Sequence, residues 1–226
     1  MSKPSVIAID GPAGAGKSTV AQKVAARLGL TYVDSGATYR AAALKVLQSG
    51  IAPDDEQAVA KLIAQTDIRI TTEGLQPRVL MDGLDVTEMI RTPEVTLAAA
   101  KVSRSSEVRA KLVAVQRSCA MGRGVVMEGR DIGTVVFPNA ALKVFLKADP
   151  VERARRRLKQ DRKVGRSATL EQTADEIARR DQLDAERKIS PLVAAADAYR
   201  IDSTYLAADQ VVEQILDLAR KKVDSI

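Results

Sequence analysis

The chain has 226 residues, with 35 Lys and Arg against 29 Asp and Glu for a net charge of +6, and it contains no histidine, no tryptophan and a single cysteine, Cys119. That length suits one large domain, or one domain with a small insert, whose core needs neither disulfide nor metal. The composition excludes an imidazole base, a Ser-His-Asp triad, His-ligated zinc, an internal disulfide and a multi-cysteine metal site.

Met1 to Ser5 carries no signal-peptide core and leads into Val6-Ile7-Ala8-Ile9, a buried strand ended by Asp10-Gly11-Pro12. A helix is predicted from about Lys17, with Val20, Val24 and Leu28 on one stripe and Gly29 as its stop. Thr31-Tyr32-Val33 reads as a second strand, followed by a helix from about Ala37 to Gln48. Asp67 to Arg91 breaks this rhythm. Ile68-Arg69-Ile70, Arg78-Val79-Leu80-Met81 and Leu84-Asp85-Val86 are separated by the turn signals Glu73-Gly74 and Asp82-Gly83, which predicts a small antiparallel insert. Gly124-Val125-Val126-Met127 is a third strand and Leu142-Lys143-Val144-Phe145-Leu146 a fourth. From Glu152 to Arg166, eight basic residues face two acidic ones, so this segment alone carries the chain's whole positive excess. That is a local anion-handling device, not a coat for binding nucleic acid. Few aromatic residues also weaken a single-strand reading built on base stacking. Tyr199-Arg200-Ile201 is a fifth strand, and the last helix, about Ala208 to Lys221, stacks Val211, Val212, Ile215, Leu216 and Ala219. Strands alternating with helices imply crossover units and a parallel sheet covered on both faces. No apolar run approaches the ~20 residues of a membrane span. The low cysteine count fits a cytoplasmic setting.

Gly11-Pro12-Ala13-Gly14-Ala15-Gly16-Lys17-Ser18 matches the full G-x-x-x-x-G-K-[ST] pattern, which a random chain of this length meets about one time in a hundred. Glycines let the backbone wrap so that N–H groups point at phosphate oxygens. The helix opening at Lys17 adds its positive end. Lys17 can reach the β and γ phosphates, the Ser18 hydroxyl can ligate Mg²⁺, and Thr19 completes the ATP-binding segment. A second site is expected at the same edge of the sheet. Asp34-Ser35-Gly36-Ala37-Thr38-Tyr39-Arg40 lies just past the second strand, and Glu128-Gly129-Arg130-Asp131 follows the third. Arg40 alone reads as a solvated helix residue, but two arginine-bearing loops at one edge favour a phosphate monoester site, which forked guanidinium groups suit.

These two segments, with Gly129-Arg130-Asp131-Ile132-Gly133-Thr134-Val135-Val136-Phe137-Pro138, Ser190-Pro191-Leu192 and the P-loop, resemble bacterial cytidylate kinases. The likeness runs over nearly the whole chain and ends near Asp202-Ser203-Thr204. The resemblance implies ATP-dependent phosphorylation of CMP and dCMP in pyrimidine metabolism. It implies a P-loop NTPase three-layer α/β fold with a parallel sheet core, the antiparallel insert in the monophosphate-binding region, and an Arg-rich lid. The chain would be a single kinase domain over 1–226. Its core would be 1–35, 100–150 and 167–226, its monophosphate-binding region 36–99 with the insert at about 67–91, and its lid 151–166. Carried over residue by residue, Arg40, Arg130 and Arg187 would hold the CMP phosphate, Arg180 and Asp184 the ribose, and Arg109 and Asp131 the cytosine. Ser35 and Tyr39 would line the acceptor site. Where the family often has a serine nine residues before the base-reading arginine, this chain has Ala100, which leaves that base contact to the backbone or absent.

Arg180, Asp184 and Arg187 fall at helical spacing, hence on one face. Phosphoryl transfer needs positioning and charge neutralisation more than a strong base, so the lack of histidine is no obstacle. Mg²⁺ is expected between ATP and Ser18, with Asp34 or Glu128 helping through water. Lys17 and the lid arginines Arg153 and Arg157 would offset charge on the transferring group. The substrates would be the only partners, with no stable nucleic acid and no membrane, and the chain would be a monomer. Two rival readings are a P-loop kinase for another small acceptor and a nucleotide-gated RNA- or protein-binding module.

Overall fold

The computed structural model describes residues 6–71, 77–163, 165, 167–187 and 189–223. The Glu73-Gly74 turn, the Met1 to Ser5 leader reading and Arg166 of the basic run lie outside the described residues. In chain order the elements are β1 (Val6–Asp10), α1 (Lys17–Leu28), β2 (Thr31–Asp34), α2 (Gly36–Gln48), α3 (Glu56–Gln65), β3 (Ile68–Thr71), β4 (Arg78–Met81), β5 (Leu84–Asp85), α4 (Pro93–Val102), α5 (Ser106–Ser118), β6 (Val125–Gly129), β7 (Leu142–Lys147), α6 (Pro150–Lys163), α7 (Leu170–Ala185), β8 (Tyr199–Asp202) and α8 (Ala208–Val223). The strands form a parallel five-stranded sheet, in the order β2-β6-β1-β7-β8, and the expected antiparallel sheet β3-β4-β5. Among the described residues no helix is long and apolar enough to cross a membrane.

The chain divides into two compact units, one centred on residues 31–125 and the other on 5–30 with 126–226. In the first, α2 turns a row of alanines inward. Ala41, Ala42 and Ala43 are fully buried, and their small size lets a packed core of Ile63, Ile68, Met81, Ile90, Val102 and Leu112 come close. The insert's hairpin turn is the predicted Asp82-Gly83, with φ of 50° and 83°. Positive φ at both central positions matches the right-handed twist of the flanking strands. Lys45 Nζ on α2 donates to Asp82 Oδ2 at 2.7 Å and so fastens the turn. Three helices here carry caps readable in sequence. Asp55, Thr92 and Ser105 each accept from a first-turn N–H, and Pro93 follows Thr92 at the start of α4. Lys111 Nζ donates to the carbonyls of Ile63, Ala64 and Thr66 at 2.6–2.9 Å, closing the C-terminal end of α3.

In the second unit every residue of β1 is buried, and its parallel register with β7 pairs Ile7 with Leu142 and Asp10 with Phe145. β7 pairs in turn with β8. Strand β6 runs two residues further than its sequence suggests. Glu128 and Gly129 are its last residues rather than the start of a loop, because Glu128 is buried with the apolar residues before it. Asp34 is likewise the last residue of β2. Immediately after β6 and Arg130-Asp131 the chain makes a single π turn over Ile132–Val136. The Asp131 carbonyl there accepts from both the Val135 and Val136 N–H groups. Such turns recur at functional sites.

Candidate active site

The predicted site residues fall in both units, Ser35, Tyr39, Arg40 and Arg109 in the first and the remainder in the second. In the second unit, Gly11 to Gly16 connect the carboxyl end of β1 to α1, the place where open parallel sheets bind ligands. Two of the glycines answer to close packing. A Cβ on Gly11 would overlap the Leu146 carbonyl oxygen, and one on Gly14 would lie 2.8 Å from that of Arg153. Lys17 is buried at the start of α1, and its Nζ donates to the Pro12 carbonyl at 2.7 Å. Burial, and then the Arg130 cation, pushes its amine down to about 7, against the pull of Glu128 and Asp184. Ser18 and Thr19 are exposed on the first turn. Asp10, at the end of β1, accepts from the Ile132 and Gly133 N–H groups at 2.8 Å each. It therefore orients the π turn that follows Asp131. Its burial raises the carboxyl to about 6 in spite of those two bonds.

Arg130 Nε donates to Asp184 Oδ2 at 2.7 Å, and Arg187 Nη2 donates to the other oxygen of the same carboxylate. Burial opposes ionisation of Asp184, but Arg130, Arg187 and Arg180 outweigh it and hold the carboxyl below the usual range. Burial likewise opposes the charge on Arg130, and the Asp184 carboxylate overcomes it, pushing the guanidinium above its ordinary value. One helical face does not carry all three predicted residues. α7 ends at Ala185, and Arg187 lies beyond the Glu186 cap. At the helix end the Glu186 N–H donates to the Gln182 carbonyl at 2.9 Å, and the Asp184 carbonyl accepts from the Leu192 N–H at 2.9 Å. Arg187 nonetheless reaches back to Asp184 from beyond the helix end. Asp131 is buried at the start of the π turn.

The basic run forms α6, and its arginines differ in role. Arg153 is buried and donates to the carbonyls of Ala148 and Ala13 at 3.1 Å each, and to the Asp181 carboxylate. Arg157 is more exposed and its Nε meets the buried Asp161 at 3.1 Å. Arg156, which the motifs left unmarked, binds the Ser203 hydroxyl at 3.1 Å and the Ser203 carbonyl at 2.6 Å. Ser203 Oγ in turn donates to the Ala15 carbonyl at 3.1 Å. The turn after β8 therefore braces the phosphate loop. Its sequence, Asp202-Ser203-Thr204, was legible only as the place where the resemblance stops.

In the first unit, Arg40 Nη2 donates to Asp34 Oδ2 at 2.6 Å. Burial opposes ionisation of Asp34, yet the Arg40 guanidinium holds it below the usual range. Gly36 makes room for this pair, since a Cβ there would sit 3.0 Å from Arg40 Nη1. The Arg109 guanidinium lies 5.3 Å from the centre of the Tyr39 ring and donates to the Ser103 carbonyl at 3.4 Å. Ser103, near the expected serine position, turns its hydroxyl to the Ala100 carbonyl at 2.9 Å, so its side chain serves the end of α4. Gln116 on α5 is a buried positioning residue that sequence reasoning missed. Its Nε2 donates to Thr38 Oγ1 at 2.9 Å and to the Ser35 carbonyl at 3.4 Å, fixing the start of α2.

The second unit thus provides a phosphate loop with a buried lysine and a pair of arginines held by one carboxylate. The first unit holds an arginine paired with its own carboxylate and another stacked on an aromatic ring. Such groups bind and orient polyanions and offset charge during phosphoryl transfer. The family model for cytidylate kinase matches residues 7–221. The chain is 48% identical over 217 residues to a cytidylate kinase of Caldicellulosiruptor bescii, covering 96% of each chain. It is 50% identical over 221 residues to one of Desulforamulus reducens, covering 98% of this chain and 99% of that one. A solved gluconokinase structure from Sinorhizobium meliloti 1021 matches with a TM-score of 0.51 at 14% identity, covering 98% of this chain and 95% of that one, which is a likeness of fold alone.

Proposed function

The chain belongs to the cytidylate kinase family, and from that premise we propose a division of labour among its side chains in the reaction ATP + CMP ⇌ ADP + CDP. The transfer of a phosphoryl group from ATP to CMP is the family's reaction and this chain's. dCMP is proposed as a second acceptor.

Residues Gly11 to Thr19 hold the donor phosphates, through inward N–H groups and the Lys17 ammonium. Arg130 and Arg187 bind the acceptor phosphate, joined by Arg40, while Arg180 and Asp184 contact the ribose. The observation that carries this reading is the Asp184 carboxylate gripped by Arg130 and Arg187, near the buried Lys17. A guanidinium presents five N–H donors in a rigid fork. Asp184 thus aims two of them while leaving the forks suited to a phosphate monoester. An oxygen of that monoester attacks the γ-phosphorus as the bond to the β-γ bridging oxygen of ATP breaks. The second ionisation of a phosphate monoester lies near ~6, so the attacking group is already mostly ionised at neutral pH and no imidazole is needed. Arg153 and Arg157 on α6 form the lid side of the site, with Arg153 offsetting charge on the transferring group. Closure over the substrates excludes water and suppresses hydrolysis of ATP.

Among the described residues no group of three or more His, Cys, Asp or Glu could hold a metal ion by itself. The donor set fits Mg²⁺ delivered with ATP, whose ligands are mainly phosphate and water. The exposed Ser18 hydroxyl would be its protein ligand, with Asp34 or Glu128 acting through water. When bound, the ion neutralises charge on the phosphate oxygens. In base recognition, an ionised Asp131 accepts from the cytosine N4 amino group and repels the O4 acceptor of uracil, while Arg109 contributes a second contact to the base.

The chain is proposed to act in the cytoplasm as a monomer without stable nucleic-acid binding. The positive excess confined to one segment and the scarcity of aromatic residues support the absence of nucleic-acid binding. The test is ADP formation with Mg·ATP and CMP, dCMP, UMP or AMP, for wild type and Asp131→Ala. Strong stimulation by CMP and dCMP, weak stimulation by UMP, and loss of that preference in the variant are expected. A variant that keeps the preference removes Asp131 from base recognition, and the absence of any stimulation refutes the kinase reading.

A further inference from the structure

Asp181 lies on α7, one turn before Asp184, and no motif marked it. Its Oδ1 accepts from the Ala13 N–H at 3.3 Å, and its Oδ2 accepts from Arg153 Nη1. That same Arg153 nitrogen donates to the Ala13 carbonyl at 3.1 Å. Both peptide groups flanking Ala13 are therefore gripped, one by a carboxylate and one by a guanidinium, and the two grips hold each other. The next residue, Gly14, has φ of 75° and backs onto the Arg153 main chain. The arrangement fixes the tip of the phosphate loop against α6 and α7.

A carboxylate at this place is electrostatically costly. It adds negative charge beside a polyanion site and occupies a kind of N–H that such loops point at phosphate oxygens. We propose that Asp181 is a positioning residue for phosphoryl transfer. It holds the Arg153 guanidinium in register with the phosphate loop and yields the Ala13 N–H to the donor phosphates while keeping Arg153. Because Asp184 on the same helix holds Arg130 and Arg187, α7 anchors the donor-side and acceptor-side cations together. The inference rests on the kinase reading above and on Arg153 serving the transferring group.

The experiment measures kcat and the separate KM values for ATP and CMP in wild type, Asp181→Asn, Arg153→Lys and the double variant. Asp181→Asn preserves size and one acceptor oxygen but removes the charge that fixes the guanidinium. Its kcat is expected to fall ~10–100-fold, the loss that follows from misplacing a charge-stabilising group. The KM for CMP stays within about twofold, since Arg130, Asp184 and Arg187 are untouched. In the Arg153→Lys background the same change lowers kcat by less than about threefold, because both act through one guanidinium. Asp181→Glu, which restores the charge, recovers part of the lost kcat. The proposal is overturned if the two substitutions multiply as independent effects. It is also overturned if Asp181→Asn retains wild-type kcat, or if it loses activity only in step with its folded fraction by circular dichroism. Should Asp181→Asn not fold, the cycle is run with Asp181→Glu in its place, and independence of the Asp181→Glu and Arg153→Lys effects overturns the proposal equally. A wild-type enzyme that forms no ADP in response to CMP refutes the kinase reading instead, whatever the variants do.

Discussion

Lys17 combines burial with a neighbouring cation, and both favour its neutral form, which lowers the amine to about 7. Phosphate oxygens beside it favour the ammonium, so the bound complex has the higher value. Binding strength from this group is full below about pH 7 and is lost as pH rises towards the value in the complex, by at most about tenfold per pH unit. Calorimetry of ATP binding at pH 8, in two buffers of different ionisation enthalpy, is expected to show net proton uptake that disappears in Lys17→Met. Absence of uptake in the wild type refutes the assignment. Lys17 was legible in sequence because its pattern is contiguous. Gln116 and Arg156 were not, because their partners Thr38 and Ser203 lie 78 and 47 residues away. A side chain that acts on distant backbone leaves no local spacing to read.

Elements were legible where their period was clean and where their ends were punctuated. β1, α1 and the Asp82-Gly83 hairpin appear where expected, since the apolar runs and turn residues agree there. β6 was read short, because Glu128 looks like the end of a strand when its burial cannot be seen. The helices at 56–65, 93–102 and 106–118 went unassigned, although Thr92-Pro93 is a cap followed by a favoured first-turn proline. Thr169 and Gln172 likewise form a reciprocal capping box at the start of α7. The unassigned helices matter to the first unit's core, where Leu112 of α5 is fully buried. Leu112→Ala is expected to destabilise the protein by about 2–5 kcal/mol, from lost burial and the cavity left behind. Urea unfolding checks this, and a change under about 0.5 kcal/mol removes Leu112 from the packed core.

Across the whole molecule the absence of histidine simplifies its response to pH. Among the described residues Asp10 and Lys17 are moved into the range between about 6 and 7. Asp10 is raised from 3.8 to about 6, so the folded chain keeps a proton that the unfolded chain has lost, and its contribution falls as pH rises through that window. Lys17 is lowered from 10.5 to about 7, so its contribution rises with pH from about 7 upward. The two together give a trough of stability near neutrality. Denaturation at pH 6.5 and 8.5 is expected to show wild type gaining stability with pH by more than Lys17→Met does. Equal gains in the two proteins rule out the Lys17 contribution. The fold class was visible in the sequence because it follows from alternation along the chain. The division into units at residues 31 and 125 was not, because it depends on which faces pack together.

The contact between Gly14 and Arg153 makes α6 a lever whose fulcrum is the nucleotide loop itself. The helix runs on from Arg153 to Lys163, which at about 1.5 Å per residue is about 15 Å from that point. A tilt of about 10° at the fulcrum would carry its far end about 3 Å while Arg153 scarcely moves. Thus Arg153, the arginine proposed to act on the transferring group, is the one with the least travel, and the charges further along the helix sweep the arc. Bringing substrate charge together and holding it in register then fall to opposite ends of one rigid rod.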